Sequence, residues 1–115
     1  AGALSGTLTA TVDLSGYNKA TFDFVLTWAA ATQIQWYIEE QTSAGVWARV
    51  QGTSSAISGG VVVTTYYPRQ DVKDVTASTN WASTWDVNYR LCRLTVTSSA
   101  GTTDTISVFI TKHAI

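Results

Sequence analysis

Side chains able to do chemistry are few and scattered: one histidine, one cysteine, eight carboxylates and seven Lys or Arg in 115 residues. Glu39 and Glu40 are the only adjacent carboxylates. On a strand they point to opposite faces, so they cannot flank one glycosidic bond and read as surface charges near a hairpin turn. Asp71 and Asp74 could share a cation with backbone carbonyls, but no Asp-x-Asp-x-Asp-Gly loop accompanies them. His113 stands near the C-terminal end with no second His or Cys placed to complete a zinc site, and reads as a solvent-exposed side chain. Gly59-Gly60 matches neither a phosphate loop nor a dinucleotide fingerprint. Cys92 falls in the apolar phase of Cys92, Leu94 and Val96 and reads as a small buried hydrophobe. Being single, it cannot form an internal disulfide. Arg93 and Asp104 are expected to meet across paired strands, as a charge pair worth well under about 1 kcal/mol. No nucleophile–base pair, metal set or cofactor follows, so the expectation is a protein that holds or binds something and is no enzyme.

The tryptophans carry the remaining chemistry. Trp28, Trp36 and Trp47 fall in strand or hairpin positions and are expected mainly in the core. Trp81 and Trp85 lie in a polar stretch beside Asn80 and Asp86. Exposed indoles with polar neighbours can grip a sugar ring, so carbohydrate is a possible ligand. The same rings could instead plug one end of the fold or enter a subunit contact.

The elements that position these residues follow from a two-residue rhythm. Thr7, Thr9 and Thr11 alternate with Leu8, Ala10 and Val12, and Thr105, Ser107 and Thr111 interleave with Ile106, Val108 and Ile110. Such runs have one apolar and one hydroxyl face, which predicts antiparallel strands around one core. Seven or eight strands are expected, over 4–13, 20–28, 33–41, 46–51, 61–67, 88–97 and 103–112. Residues 52–60 read as a small-residue loop, and 69–86 as an irregular excursion long for a compact domain. Ala29-Ala30-Ala31 is too short to nucleate a helix. The prediction is a single all-β domain over 1–115, an antiparallel two-sheet β-sandwich of jelly-roll or immunoglobulin-like type. The 19 threonines suit its half-exposed pleats.

Composition narrows the partners. The net charge of −1, with its basic residues scattered, argues against nucleic acid. No stretch reaches the roughly 20 apolar residues that cross a bilayer, and the start of the chain does not read as a signal peptide. A first residue of Ala with no Met anywhere fits a cytoplasmic product that has lost its initiator; an excised domain would look the same.

Two segments carry a resemblance. Residues 32–40, Thr-Gln-Ile-Gln-Trp-Tyr-Ile-Glu-Glu, with a short turn and Gly45-Val46-Trp47, form one candidate hairpin. Residues 89–96, Tyr-Arg-Leu-Cys-Arg-Leu-Thr-Val, a Gly-containing turn and residues 103–110 form the other. Both resemble hairpins of the small β-sandwich virion structural proteins of tailed bacteriophages, head decoration or cement proteins among them. The departure is Ala44-Gly45, where those turns are more acidic and glycine-rich. The resemblance implies a non-enzymatic protein of the virion, made in the host cytoplasm and clamping major capsid or other virion proteins by multivalent contact. It also implies a homo-oligomer, a closed trimer being favoured. The contact residues would be Tyr66, Tyr67, Trp81 and Trp85, with Phe109 on the outer face of the last strand.

Overall fold

The computed structural model describes residues 2–3, 7–88, 90–99 and 104–113. Among them the chain forms strands and no helix. The strands are β1 (Gly2–Ala3), β2 (Thr7–Asp13), β3 (Lys19–Thr27), β4 (Gln33–Gln41), β5 (Trp47–Arg49), β6 (Gln51–Ser58), β7 (Val61–Pro68), β8 (Asp71–Asp74), β9 (Thr79–Asp86), β10 (Leu91–Ser98) and β11 (Thr105–His113). One sheet runs β1-β11-β3-β9 and a second β2-β10-β4-β5, while β6 and β7 pair only with each other. Every pairing is antiparallel. The expected strand start at residue 4, and the turn residues 100–101, lie outside the described residues.

One edge explains the architecture. β5 pairs with the second half of β4, Glu39↔Arg49 to Gln41↔Trp47, and β8 with the first half, Gln33↔Asp74 to Trp36↔Asp71. Counted as one interrupted strand, and with the separate β6–β7 pair set aside, they leave eight strands in the two sheets, each sheet woven from strands distant in sequence. That is the jelly-roll order. The immunoglobulin alternative is excluded, because it keeps its last two strands side by side in one sheet. Here β10 pairs with β2 and β4, while β11 pairs with β1 and β3.

That split also corrects the expected closing hairpin, and with it the Arg93–Asp104 pair. Arg93 instead meets Glu39 of β4, Nη2 to Oε1 at 2.9 Å. Asp104 is buried, and its Oδ1 accepts the backbone N–H groups of Ala29, Ala30 (3.2 Å) and Ala31 (3.4 Å). The three alanines are thus an irregular turn tied down by one carboxylate.

The core follows the alternation. β3 buries Ala20, Phe22, Phe24 and Leu26; β4 buries Ile34, Trp36 and Ile38; β10 buries Cys92, Leu94 and Val96. Each large side chain removed from water contributes about 2–3 kcal/mol. Trp36 lies between Phe24 (ring centroids 4.9 Å apart) and Trp81 (5.7 Å). Trp28 and Trp47 depart from expectation, Trp28 lying exposed and Trp47 only half-buried.

Cys92 is buried as its phase implies, and that burial, with the Glu40 and Asp13 carboxylates adding to it, pushes its thiol up to about 12. Titration with a thiol reagent at mildly alkaline pH should leave the folded chain unlabelled and label it one-to-one in denaturant; rapid labelling of the folded chain would contradict this placement.

A projecting arm and the candidate contact surface

The predicted loop over 52–60 is a strand. Val61-Val62-Val63 and the residues after them need a hydrogen-bonded partner, and Gly59 (φ +59°) and Gly60 (φ +78°) supply the two positive-φ positions of a type I′ turn. β6 therefore folds back on β7 in register from Gln51↔Pro68 to Ser58↔Val61. At Gly52 the ring of its cross-strand partner Tyr67 lies so close that an added Cβ would sit 2.7 Å from it.

At about 3.4 Å per residue, the eight-residue strands make an arm about 27 Å long. The radius of gyration is 15.7 Å, against about 13 Å for a compact chain of this length, and the long axis reaches 48 Å. Residues 51–68 include no Asp, Glu, Lys or Arg. One face presents Ile57 and Val62 near the tip and Tyr66 near the base; the other presents Val61, Val63 and Tyr67. Ile57 is 78% exposed, Val62 66% and Tyr66 66%. A lone two-stranded ribbon is marginal in water, and natural proteins usually blunt such edges with charge. This arm is uncharged and exposes apolar side chains on both faces.

The base of the arm is held firmly. Arg49 Nη2 donates to the Arg69 carbonyl at 2.8 Å, and its guanidinium lies 3.8 Å from the centre of the Tyr37 ring. Arg69 forks onto Asp71, Nε to Oδ1 at 3.0 Å and Nη2 to Oδ2 at 2.9 Å, and covers the Trp85 ring at 3.8 Å. Beneath them the Ser83 hydroxyl donates to Asp71 (3.0 Å) and accepts the indole N–H groups of Trp36 (3.1 Å) and Trp85 (2.7 Å). Bidentate, charge-assisted bonds of this kind fix orientation as well as add energy. The hinge of the arm is therefore a rigid network.

The expected contact residues separate into three groups. Tyr66 and Tyr67 sit on opposite faces of the arm. Phe109, 62% exposed, stands apart from them on the outer face of β11, opposite Asp23. Trp81 and Trp85 are corrected. The stretch 69–86 contains β8 and β9, and in β9 Trp81, Ser83 and Trp85 all turn inward. Trp85 is 0% exposed, so its ring is a core plug and not a free platform. Trp81 is half-buried and stacks on Phe24 with centroids 5.1 Å apart. One side of it borders a shallow groove of about 610 Å³ shared with Arg69, Gln70, Asp71 and Lys73.

Several of the remaining polar and charged groups are engaged locally. Asp74 accepts from Gln33 Nε2 at 3.1 Å, and Asp71 is held as described, so the two are not poised around one cation. Among the described residues no cluster of three or more His, Cys, Asp or Glu could hold a metal. Glu40, expected as a surface charge, is instead buried and accepts from the Asn88 amide (3.1 and 3.2 Å), while Glu39 faces out, since neighbours on a strand point to opposite faces. His113 Nε2 lies 3.0 Å from the Thr21 hydroxyl on the surface. The outer face of the second sheet is polar, with Thr9, Thr95 and Tyr37 in one cross-strand row and Thr11, Arg93, Glu39 and Arg49 in the next. No helix of the described residues is long and apolar enough to cross a membrane.

Comparisons of the chain with family models, with curated proteins and with solved structures returned no match.

Proposed function

We propose that this chain is a non-enzymatic structural protein of a virion, decorating a capsid shell and strengthening it through several protein contacts at once. The observation that supports the reading is the uncharged projecting arm, whose Ile57, Val62 and Tyr66 side chains stand exposed. The jelly-roll order supports it by analogy, since that fold recurs in viral capsid proteins, though it also serves lectins. The polar outer face of the second sheet offers a second surface, and two modest contacts on one body reinforce each other.

The test is sedimentation of the particle fraction from the native source through a density gradient, followed with an antibody to the chain. The chain is expected to travel with the particles. Finding it only at the top of the gradient, at monomer size, would overturn the reading.

A second reading, a carbohydrate-binding module, rests on the groove beside Trp81, whose buried indole N–H has no hydrogen-bond partner. It needs Trp81 alone, Trp85 being sealed in the core. A panel of polysaccharides titrated against intrinsic fluorescence should then give saturable changes that Trp81→Phe abolishes, while a flat response across the panel removes the reading.

A further inference from the structure

We propose that the groove between β8 and β9 binds an acidic saccharide, the Lys73 ammonium taking the carboxylate of a uronic-acid unit beside the Trp81 ring. The proposal rests on the carbohydrate reading above and narrows its ligand from any sugar to an anionic one.

Strand register places the cation. Lys73 stands opposite Ile34, as Asp71 stands opposite Trp36, and directly paired residues project to the same face. Ile34 and Trp36 are buried, so Lys73 also points between the sheets, at the side of the sandwich away from β1 and β2. It is half-buried there and lines the groove together with Trp81. Among the described residues its ammonium has no hydrogen bond or ion pair. The one carboxylate of the lining, Asp71, is held by the Arg69 fork and the Ser83 hydroxyl. Arg69 and Asp71 cancel, which leaves Lys73 as an uncompensated positive charge. The Trp81 indole N–H, buried and without an acceptor, is a second donor in want of a partner. A cation and an indole donor in one groove call for a ligand rich in oxygen and negative in charge. The groove, at about 610 Å³, is of the size that small ligands occupy.

The edge itself selects a sugar over an acidic peptide. A peptide would dock by adding a strand to β8 or β9. Arg69 Nη1 already donates to the Thr84 carbonyl of β9 at 3.2 Å. An inward-pointing charge on an edge strand, as Lys73 is on β8, also opposes strand addition. A saccharide needs no backbone ladder. Its carboxylate and hydroxyls meet the donors, and the apolar face of its ring suits an indole.

Calorimetric titration of the full chain tests this, with oligosaccharides of galacturonic, glucuronic and mannuronic acid, each set against its neutral methyl ester. At least one acid should bind saturably, about tenfold tighter than its ester, and weaken as salt is raised. Lys73→Ala, first checked for a β-type circular-dichroism spectrum, should lose about tenfold in affinity for that acid. Trp81→Phe, which keeps a ring against Phe24 and removes the N–H, should weaken it too. If no acid binds, or the esters bind as tightly, the proposal is overturned; a neutral sugar that still binds leaves the carbohydrate reading standing. Oligoglutamate binding as tightly as the uronates overturns the choice of a sugar. A Lys73→Ala chain that keeps its affinity yet self-associates assigns the lysine to guarding the strand edge, and overturns the proposal as well.

Discussion

Trp85→Ala is expected to destabilise the chain by about 3–5 kcal/mol, a large part of the 5–15 kcal/mol typical of a domain. Two losses add. A fully buried ring leaves a cavity at the end of the sandwich, and the Ser83 hydroxyl loses one of its indole donors. The Arg69 guanidinium also loses the ring it covers, loosening the fork on Asp71 at the base of the arm. Urea denaturation followed by circular dichroism should show the midpoint fall steeply. Trp85→Phe keeps most of the ring and removes the N–H, so it should cost only about 1–2 kcal/mol. A Trp85→Ala chain with the original midpoint would mean that the ring is not in the core.

Asp104 gives the second large effect, and it carries a pH signature. Burial alone would raise its carboxyl above the usual 3.8; the N–H groups of Ala29, Ala31 and Ala30 converge on the ionised form and outweigh that, so the value in the folded chain is lowered. A lowered folded value means that the group stabilises the fold above pH 3.8, and that this contribution fades as pH falls through 3.8 toward the folded value. Asp104→Ala strips several backbone donors of a charged acceptor and should cost about 2–4 kcal/mol at neutral pH. The gap between the original chain and the variant should narrow as the solution is acidified. Urea midpoints across the acid range measure this, and a gap independent of pH would show that the charge plays no part.

Much of the fold was legible because alternation encodes which face is buried. The inward sets of β3, β4 and β10 could be read directly from Ala20 to Leu26, Ile34 to Ile38 and Cys92 to Val96. β6 was not legible: Gly52-Thr53-Ser54-Ser55 has no apolar phase, and it is a strand only because β7 pairs with it. The pairing of β10 was misread for a related reason. A short connection suggests a hairpin, but in a two-layer fold it can as well carry the chain from one sheet to the other. Glu39 as the partner of Arg93 depended on a contact 54 residues away in sequence.

The inward turn of Trp81 and Trp85 stood open, as one of two readings, although a signal for it existed. Trp81, Ser83 and Trp85 alternate with Ala82, Thr84 and Asp86, a period of two that reads as one inward face once the stretch is taken as a strand. The arm hid because residues 52–60 read as a loop. Val61 to Val63 look like core by residue type, yet they are exposed, because burial belongs to the assembled sheets and not to the side chain. Tyr66 and Tyr67 point to opposite faces and are both exposed because the two-stranded arm has no covered face, while Phe109 lies on the outer face of β11.

The interruption of one edge strand has a practical corollary. Because β5 and β8 are each laddered to β4 on their own side of the break, the two chain ends at Arg49 and Arg69 are pinned independently of whatever joins them. Loop closure costs grow only slowly with length, so the jelly roll should tolerate foreign peptides of widely different size spliced between these anchors. The chain would then serve as a ready-made platform for displaying antigens or affinity tags.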